Sequence, residues 1–361
     1  MVQAKRYVFD CVIGLLVLVL CTALLNWWQD PAGAFSDDNV YESTAKALCE
    51  GKGLVISGNY DERAFIKSVV WQGDNDYDVV VLGSSRVMSI GDESVSKFGA
   101  LRSLAVSGAA LEDDVAIWHC YKKKMSSVPK VVIIDGAPWL FNKNSEETRW
   151  KNKLALDYVE ALHDMGFSVV EADDYNRYKT LFSMMYTKES LKKLCTNKES
   201  VPIEIWNETE NSYEDKQILH SDGSRIYSQK TLQGDADASA RAYISGKVYH
   251  VEEYNNLDTE RQKIFEKLVQ DIQSKGTTVV IFLPPYHPIV YDYLKKEAKY
   301  SNVFAAERWY RSFAAENGVV IIGGYNPSSI GLDDKAFFDG MHMRRGAQGE
   351  YVKKALMNLN L

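Results

Sequence analysis

Two short segments, far apart in the chain, carry side chains that together could perform nucleophilic catalysis. The tetrapeptide GSSR (83–86) stands at the end of an apolar run, 78–83. A serine at the end of a strand exposes its hydroxyl. Asp339 lies three residues before His342, a spacing that lets the carboxylate hold the imidazole while the other ring nitrogen faces a serine. We therefore predict a catalytic triad in which a serine of this tetrapeptide pairs with His342 and Asp339.

The surroundings of the GSSR serines suggest how charge could be stabilised there. If such a serine enters the N-terminus of a helix, backbone N–H groups can face a developing oxyanion, although the serine could instead simply cap that helix. His287 follows another apolar run and could line the same site. Histidines, cysteines and glycines do not have the spacing of metal or nucleotide sites, so we predict no metal and no cofactor.

Five short apolar runs must bring these segments together. Continuous runs of this kind are typical of strands buried on both faces of a parallel sheet, and amphipathic helices lie between them. The predicted strands are 78–83, 101–106, 130–135, 277–283 and 318–323, and the predicted helices include 111–124, 259–275 (with Thr259 and Gln262 as a capping box) and 346–359. The alternation predicts an α/β fold, a three-layer α/β/α sandwich with a mainly parallel sheet.

The stretch 141–255 interrupts this alternation. It is rich in charged residues and in Tyr, Ser and Asn, and its patterns predict a mainly helical insertion. The α/β core then consists of 78–140 and 256–361, and 31–77 is a membrane-proximal segment.

The N-terminal thirty residues have the composition of a membrane anchor. The apolar run 7–28 is long enough to cross a hydrocarbon core of about 30 Å as a helix. Lys5 and Arg6 precede it and acidic residues follow it, which predicts a cytoplasmic N-terminus and an extracytoplasmic domain on a single-pass protein of the cell membrane. A signal peptide cleaved after 32–34 is the alternative.

The net charge of the chain bears on the kind of partner that it could bind. The 361 residues carry a net charge of −7, so nothing predicts nucleic-acid binding.

Beyond the apolar run, Cys49, Cys120 and Cys195 would lie in a compartment that permits disulfides, and an odd number leaves at least one of them free.

The serine after the first core strand and the Asp-x-x-His before the last helix resemble the SGNH (GDSL-like) hydrolase superfamily. The resemblance covers roughly 78–140 and 277–361. It implies that Ser85 is the nucleophile, Asp339 the orienting acid and His342 the base. It also implies that Gly108, in LAVSGAAL (104–111), contributes a backbone N–H to an oxyanion hole.

The chain departs from this superfamily at the third block. DGAPWLFN (135–142) stands where Gly-x-Asn-Asp is usual. Asn142 could replace the missing donor, or Asp135 and Trp139 could shape a different site.

Within the superfamily, the membrane anchor resembles a bacterial branch that includes the teichoic acid D-alanine transfer protein and alginate-type polysaccharide O-acetyltransferases. The resemblance implies a periplasmic or cell-envelope O-acyltransferase for exopolysaccharide biosynthesis, working with a membrane-bound O-acyltransferase on a glycan acceptor. Arg86 could then contact an anionic glycan and Trp139 could stack on a sugar. An esterase with the same triad and a catalytically degenerate scaffold are the alternatives.

Overall fold

The structure is a computed structural model that describes residues 2–29, 41–168, 203–206 and 216–357, with single positions between 181 and 194. Its strands are β1 (Leu54–Ile56), β2 (Val79–Leu82), β3 (Leu101–Ser103), β4 (Val131–Asp135), β5 (Ile203–Ile205), β6 (Gln217–Leu219), β7 (Arg225–Ile226), β8 (Thr278–Leu283) and β9 (Val320–Gly323). The α-helices with defined ends are Val2–Gln29, Glu42–Cys49, Glu62–Gln72, Asp92–Val95, Leu111–Lys124, Trp150–Lys153, Ala155–Asp164, Gln229–Leu232, Ala236–Ser245, Thr259–Gln273, Pro288–Lys296, Ser301–Asn317 and Arg345–Met357, and the described positions between 184 and 194 are also helical.

A parallel sheet of five strands, in the order β3-β2-β4-β8-β9, forms the centre of the fold. Each strand lies within one of the five predicted apolar runs, so the prediction of an α/β fold with a parallel sheet is confirmed. The chain passes from β2 outward to β3 and then returns to the other side of β2 to form β4. In open α/β sheets, such a reversal leaves a crevice at the carboxyl ends of the strands, and Gly83, Ser84 and Ser85 follow this end of β2.

Each face of the sheet packs into its own apolar cluster, because successive side chains of a strand point to opposite faces. Val80 and Leu82 join a cluster with helices Leu111–Lys124, Thr259–Gln273 and Ser301–Asn317. Val79 and Val81 join a second cluster, which contains residues of Arg345–Met357. The sheet is thus covered on both faces.

A second, antiparallel sheet was not expected from the sequence. It has the order β5-β1-β6-β7, and β1 comes from the membrane-proximal segment while the other three strands come from the insertion. The described part of the insertion still contains more helix than strand. These strands are only two or three residues long, too short for an alternating pattern to be recognisable.

The N-terminal helix Val2–Gln29 is the one helix among the described residues that is long and apolar enough to cross a membrane, with a mean hydropathy of 2.7 over its most apolar window. Most of its described side chains are exposed, and its buried side chains lie near its end. There Ala23 and Asn26 are buried.

The capping box predicted at Thr259 and Gln262 is wrong. The helix begins at Thr259, but its cap is Asp258, whose carboxylate accepts the N–H groups of Glu260 and Arg261. Asp258 satisfies two of the free N–H groups at the helix start. Cys49 and Cys120 are free thiols, and Cys195 lies outside the described residues. Residues 30–40, which contain the alternative cleavage site at 32–34, also lie outside the described residues.

Candidate active site

Ser85 lies in a tight turn at the carboxyl end of β2. Gly83 leads into it with φ +135°, and a Cβ at Gly83 would lie 2.2 Å from Cβ of Asp135, so only glycine fits. The Val87 N–H donates to the Ser84 carbonyl at 3.0 Å, and the chain turns rather than beginning a helix. The predicted helix N-terminus at Ser85 is therefore wrong, because the first helix after β2 begins only at Asp92.

The three residues predicted to form a triad meet at this end of the sheet. Oγ of Ser85 lies 2.8 Å from Nε2 of His342, and Nδ1 of His342 lies 2.7 Å from Oδ2 of Asp339. Because an ionised carboxylate only accepts, the imidazole proton belongs on Nδ1, which leaves the Nε2 lone pair to accept the serine O–H. This is the arrangement that a nucleophilic serine and its base require.

Asp339 also fixes the backbone of the loop that contains His342. Its Oδ1 accepts the N–H groups of Met341 at 2.9 Å and His342 at 2.8 Å. Burial acts to raise the pKa of Asp339, but the hydrogen bond and charge of His342, with those two amides, lower the pKa below its ordinary value. Asp339 is thus anionic at neutral pH and holds the imidazole tautomer.

The triad remains open to solvent. The side chains of His342 and Asp339 are 18% and 32% exposed, and Ser85 is half-buried. The described residues therefore do not seal these three side chains from solvent.

Asp135, at the end of β4, holds the turn rather than the imidazole. The Ser84 hydroxyl donates to Oδ2 of Asp135, and the Ser84 N–H donates to the same oxygen at 3.2 Å. The Arg86 N–H in turn donates to Oγ of Ser84 at 3.2 Å. Burial raises the pKa of Asp135, against the opposing charge of Arg86 and the bonds from Ser84. The two residues on either side of Ser85 are thereby fixed.

Arg86 is not placed to contact a glycan, because its side chain is buried and 1% of the residue is exposed. Its guanidinium donates to the carbonyls of Pro284, Pro285 and Met341 and lies 4.1 Å from the centre of the Tyr286 ring. Burial thus leaves no access for the glycan contact that the sequence suggested, and Arg86 instead joins three loops beneath the triad.

Asn142 and Trp139 also have structural contacts in place of the predicted ones. Both donor hydrogens of the Asn142 amide go to backbone carbonyls, those of His250 at 2.8 Å and Glu252 at 3.1 Å, so Asn142 cannot serve an oxyanion. Trp139 is buried, and its indole N–H donates to the Ala109 carbonyl at 2.9 Å, which leaves no face for a sugar.

His287 contacts the loop 339–342 through its backbone, and its buried side chain does not line the site. Its side chain has no exposed area, and its backbone N–H donates to the Gly340 carbonyl at 3.1 Å. Nδ1 accepts the Ile289 N–H at 3.3 Å and so caps the helix Pro288–Lys296. Burial lowers the pKa of His287, against the charge of Asp237, and keeps the imidazole neutral.

Gly108 lies in the loop after β3, which a hydrogen bond of 2.9 Å from the Val106 N–H to the Gly83 carbonyl ties to the end of β2. Its φ is +60°, and a Cβ there would lie 1.9 Å from the Tyr249 hydroxyl oxygen. Backbone conformation and space thus both require glycine at this position.

Two aromatic side chains beside His342, those of Phe338 and Tyr227, were not predicted from the sequence. The ring of Phe338 stacks on His342 with centroids 5.5 Å apart, and Tyr227 lies 6.1 Å from the same imidazole. The Tyr227 hydroxyl also donates to the Ser85 carbonyl at 3.4 Å. Tyr227 belongs to the insertion, where no motif or periodicity relates it to residues more than a hundred positions away.

Comparison with protein-family models and with curated proteins gives no match for this chain.

Proposed function

We propose that this protein is a serine acyltransferase that uses Ser85, His342 and Asp339. The observation that carries the proposal is the continuous hydrogen-bond path from Oγ of Ser85 through both ring nitrogens of His342 to Asp339, with distances of 2.8 and 2.7 Å. Nucleophile, base and orienting acid in this order are the parts of a covalent acyl-transfer site.

In the first half-reaction, Ser85 attacks the carbonyl carbon of an acyl donor while its proton passes to Nε2 of His342. The tetrahedral intermediate collapses when the C–O bond to the leaving group breaks, and the imidazolium returns the proton to that group. The product is an ester of Ser85. Asp339 stabilises the imidazolium through the Nδ1–H bond.

In the second half-reaction, the hydroxyl of an acceptor loses its proton to Nε2 and attacks the acyl-serine. The new ester leaves and Ser85 regains the proton. The backbone N–H groups of Ser85 and Gly108 are our candidates for the oxyanion donors, because the amide of Asn142 is committed to the backbone at 250 and 252.

The fold and the N-terminal helix support a more specific form of the proposal. The strand order of the parallel sheet, its two covered faces and the Asp-x-x-His loop are consistent with an SGNH-like three-layer sandwich. The apolar helix supports a single-pass anchor with an extracytoplasmic domain. We extend the proposal to O-acylation of a cell-envelope or exopolysaccharide glycan, with a membrane-bound O-acyltransferase as partner that delivers the acyl group.

The acyl-enzyme is the species to test. The full chain in detergent micelles is incubated with p-nitrophenyl acetate, and a tryptic digest is analysed by mass spectrometry. We expect an acetyl group on Ser85, which Ser85→Ala abolishes. The matched control is Ser96→Ala, because Ser96 is exposed and lies outside the site. Acetylation that survives in Ser85→Ala, or that is absent from the unaltered chain, contradicts the proposal.

An esterase is the second candidate, and the exposure of the triad favours it. Water can reach the 18%-exposed imidazole of His342 as easily as a sugar hydroxyl can. Adding an acceptor glycan, such as an alginate oligosaccharide, separates the two activities. Acetyl transfer to the glycan supports the transferase, whereas release of acetate alone with and without glycan supports the esterase. If Ser85→Ala retains full polymer modification in cells, the protein is a scaffold.

A further inference from the structure

We infer that an apolar surface formed by Phe182, Met184, Leu191 and Leu194 lies in the lipid–water interface beside the end of the N-terminal helix. This inference rests on the proposed role of that helix as a membrane anchor. It adds a second contact between the extracytoplasmic domain and the bilayer, with lipid as the occupant of the surface.

The surface is attached directly to the helix that would cross the membrane. The side-chain amide of Asn26 is buried and donates to the Leu181 carbonyl at 2.7 Å and to Oγ1 of Thr187 at 2.9 Å. Asn26 is followed by Trp27 and Trp28, which are 57% and 69% exposed. Exposed tryptophans at the end of an apolar helix are typical of the membrane–water interface. The four apolar residues therefore belong to a segment joined to the chain at that depth.

These four side chains face away from the protein. Phe182 is 60% exposed, Met184 is 89% exposed, and Leu191 and Leu194 are 46% and 43% exposed. The described positions from Met184 to Leu194 are helical, and Thr187, whose Oγ1 contacts Asn26, lies between Met184 and Leu191 in the sequence. Large apolar side chains grouped and exposed in this way indicate a binding surface.

Charge favours lipid as the occupant of this surface. Lys188, four residues after Met184 in the sequence, is exposed as well. A segment with exposed large apolar residues and an exposed lysine is typical of one that lies in the plane of an interface. Its apolar side chains enter the headgroup region while the lysine ammonium group reaches the anionic phosphates.

Photo-crosslinking tests this assignment in the full chain. The photoreactive residue p-benzoylphenylalanine replaces Phe182 or Leu191, and the protein is reconstituted in vesicles of phosphatidylethanolamine and phosphatidylglycerol that carry an alkyne tag on the acyl chains. Leu18, which is 64% exposed in the N-terminal helix, is the positive control. Val128, which is 46% exposed like Leu191 but precedes the amino end of β4, is the matched negative control.

We expect tagged lipid at positions 182 and 191 within about threefold of the yield at 18, and about tenfold above the yield at 128. Lipid at 18 with only the background yield of 128 at positions 182 and 191 overturns the inference while the anchor stands. A crosslink from 182 or 191 to a second copy of the chain overturns it in favour of a protein interface. No lipid at 18 contradicts the anchor and this inference together.

Discussion

Arg86, the residue after Ser85, donates a hydrogen bond from Nε to the carbonyl of Met341, the residue before His342, at 3.3 Å. The same guanidinium donates from Nη2 to the carbonyls of Pro284 and Pro285 beyond the end of β8. One buried side chain thus sets the separation between two loops that meet only in the folded protein. This makes Arg86 a positioning residue for the pair Ser85 and His342.

Arg86→Lys keeps the charge but cannot span three carbonyls with a single ammonium group. Because small displacements between nucleophile and base are costly, we expect kcat for acetyl ester turnover to fall about 10- to 100-fold. KM stays nearly unchanged, since Arg86 is buried away from the substrate. Steady-state kinetics with Arg308→Lys, an exposed arginine, as control measures both quantities. An unchanged kcat would contradict the positioning role.

Asp339→Asn changes the tautomer of the base while keeping the shape of the loop. The amide oxygen can still accept the N–H groups of Met341 and His342, but its NH₂ donates to Nδ1 and drives the proton to Nε2. Ser85 then has no acceptor, and we expect kcat to fall by about 10⁴. The melting temperature should change little. Asp334→Asn, an exposed carboxylate in the preceding turn, should keep full activity.

Asn142→Ala separates structural support from oxyanion binding. Loss of its two bonds to the backbone at 250 and 252 should lower the free energy of unfolding by about 1–3 kcal/mol. An oxyanion donor would instead cost about 10²–10³ in kcat, and we expect a loss below about tenfold. Urea unfolding and steady-state kinetics give the two numbers. Asn144→Ala, which removes one exposed bond to the Glu253 carbonyl, is the milder control.

The sequence was most informative where local pattern and chemistry coincide. Five apolar runs predicted the parallel sheet because strands buried on both faces need continuous apolar residues. The spacing of Asp339 and His342 predicted a hydrogen bond within one loop, and the position of Ser85 after a strand predicted a nearby nucleophile. Each of these inferences depends on residues within a few positions of one another.

Long-range contacts could not be predicted in the same way. The sequence position of Arg86 beside Ser85 is compatible both with a glycan contact and with burial. Arg86 is buried because its guanidinium donates to the carbonyls of Pro284, Pro285 and Met341, which lie far from it in the sequence. Asn142 has the chemistry of an oxyanion donor, but residues of the insertion occupy its hydrogens. Tyr227 reaches His342 only because the insertion folds back over the core.

The start of the helix Leu111–Lys124 holds two adjacent buried carboxylates with opposite surroundings. Both oxygens of Asp113 accept from the guanidinium of Arg63, at 2.9 and 2.8 Å. Neither oxygen of Asp114 has a hydrogen-bond partner among the described residues. Burial raises the pKa of Asp114 well above its ordinary value, and the charges of Asp135 and Asp113 raise it further.

We expect Asp114→Asn to stabilise the protein and Asp113→Asn to destabilise it. Because the folded-state pKa of Asp114 is raised, its contribution to stability is complete below the unfolded pKa near 4 and is lost as pH rises toward the folded value. The advantage of Asp114→Asn should therefore be absent near pH 4 and reach about 1–3 kcal/mol at pH 7. Asp113→Asn leaves the charge of Arg63 buried without its main partner and should cost about 3–5 kcal/mol at pH 7. Urea unfolding between pH 4 and 8 measures both variants, and a pH-independent difference for Asp114→Asn would contradict a protonated Asp114.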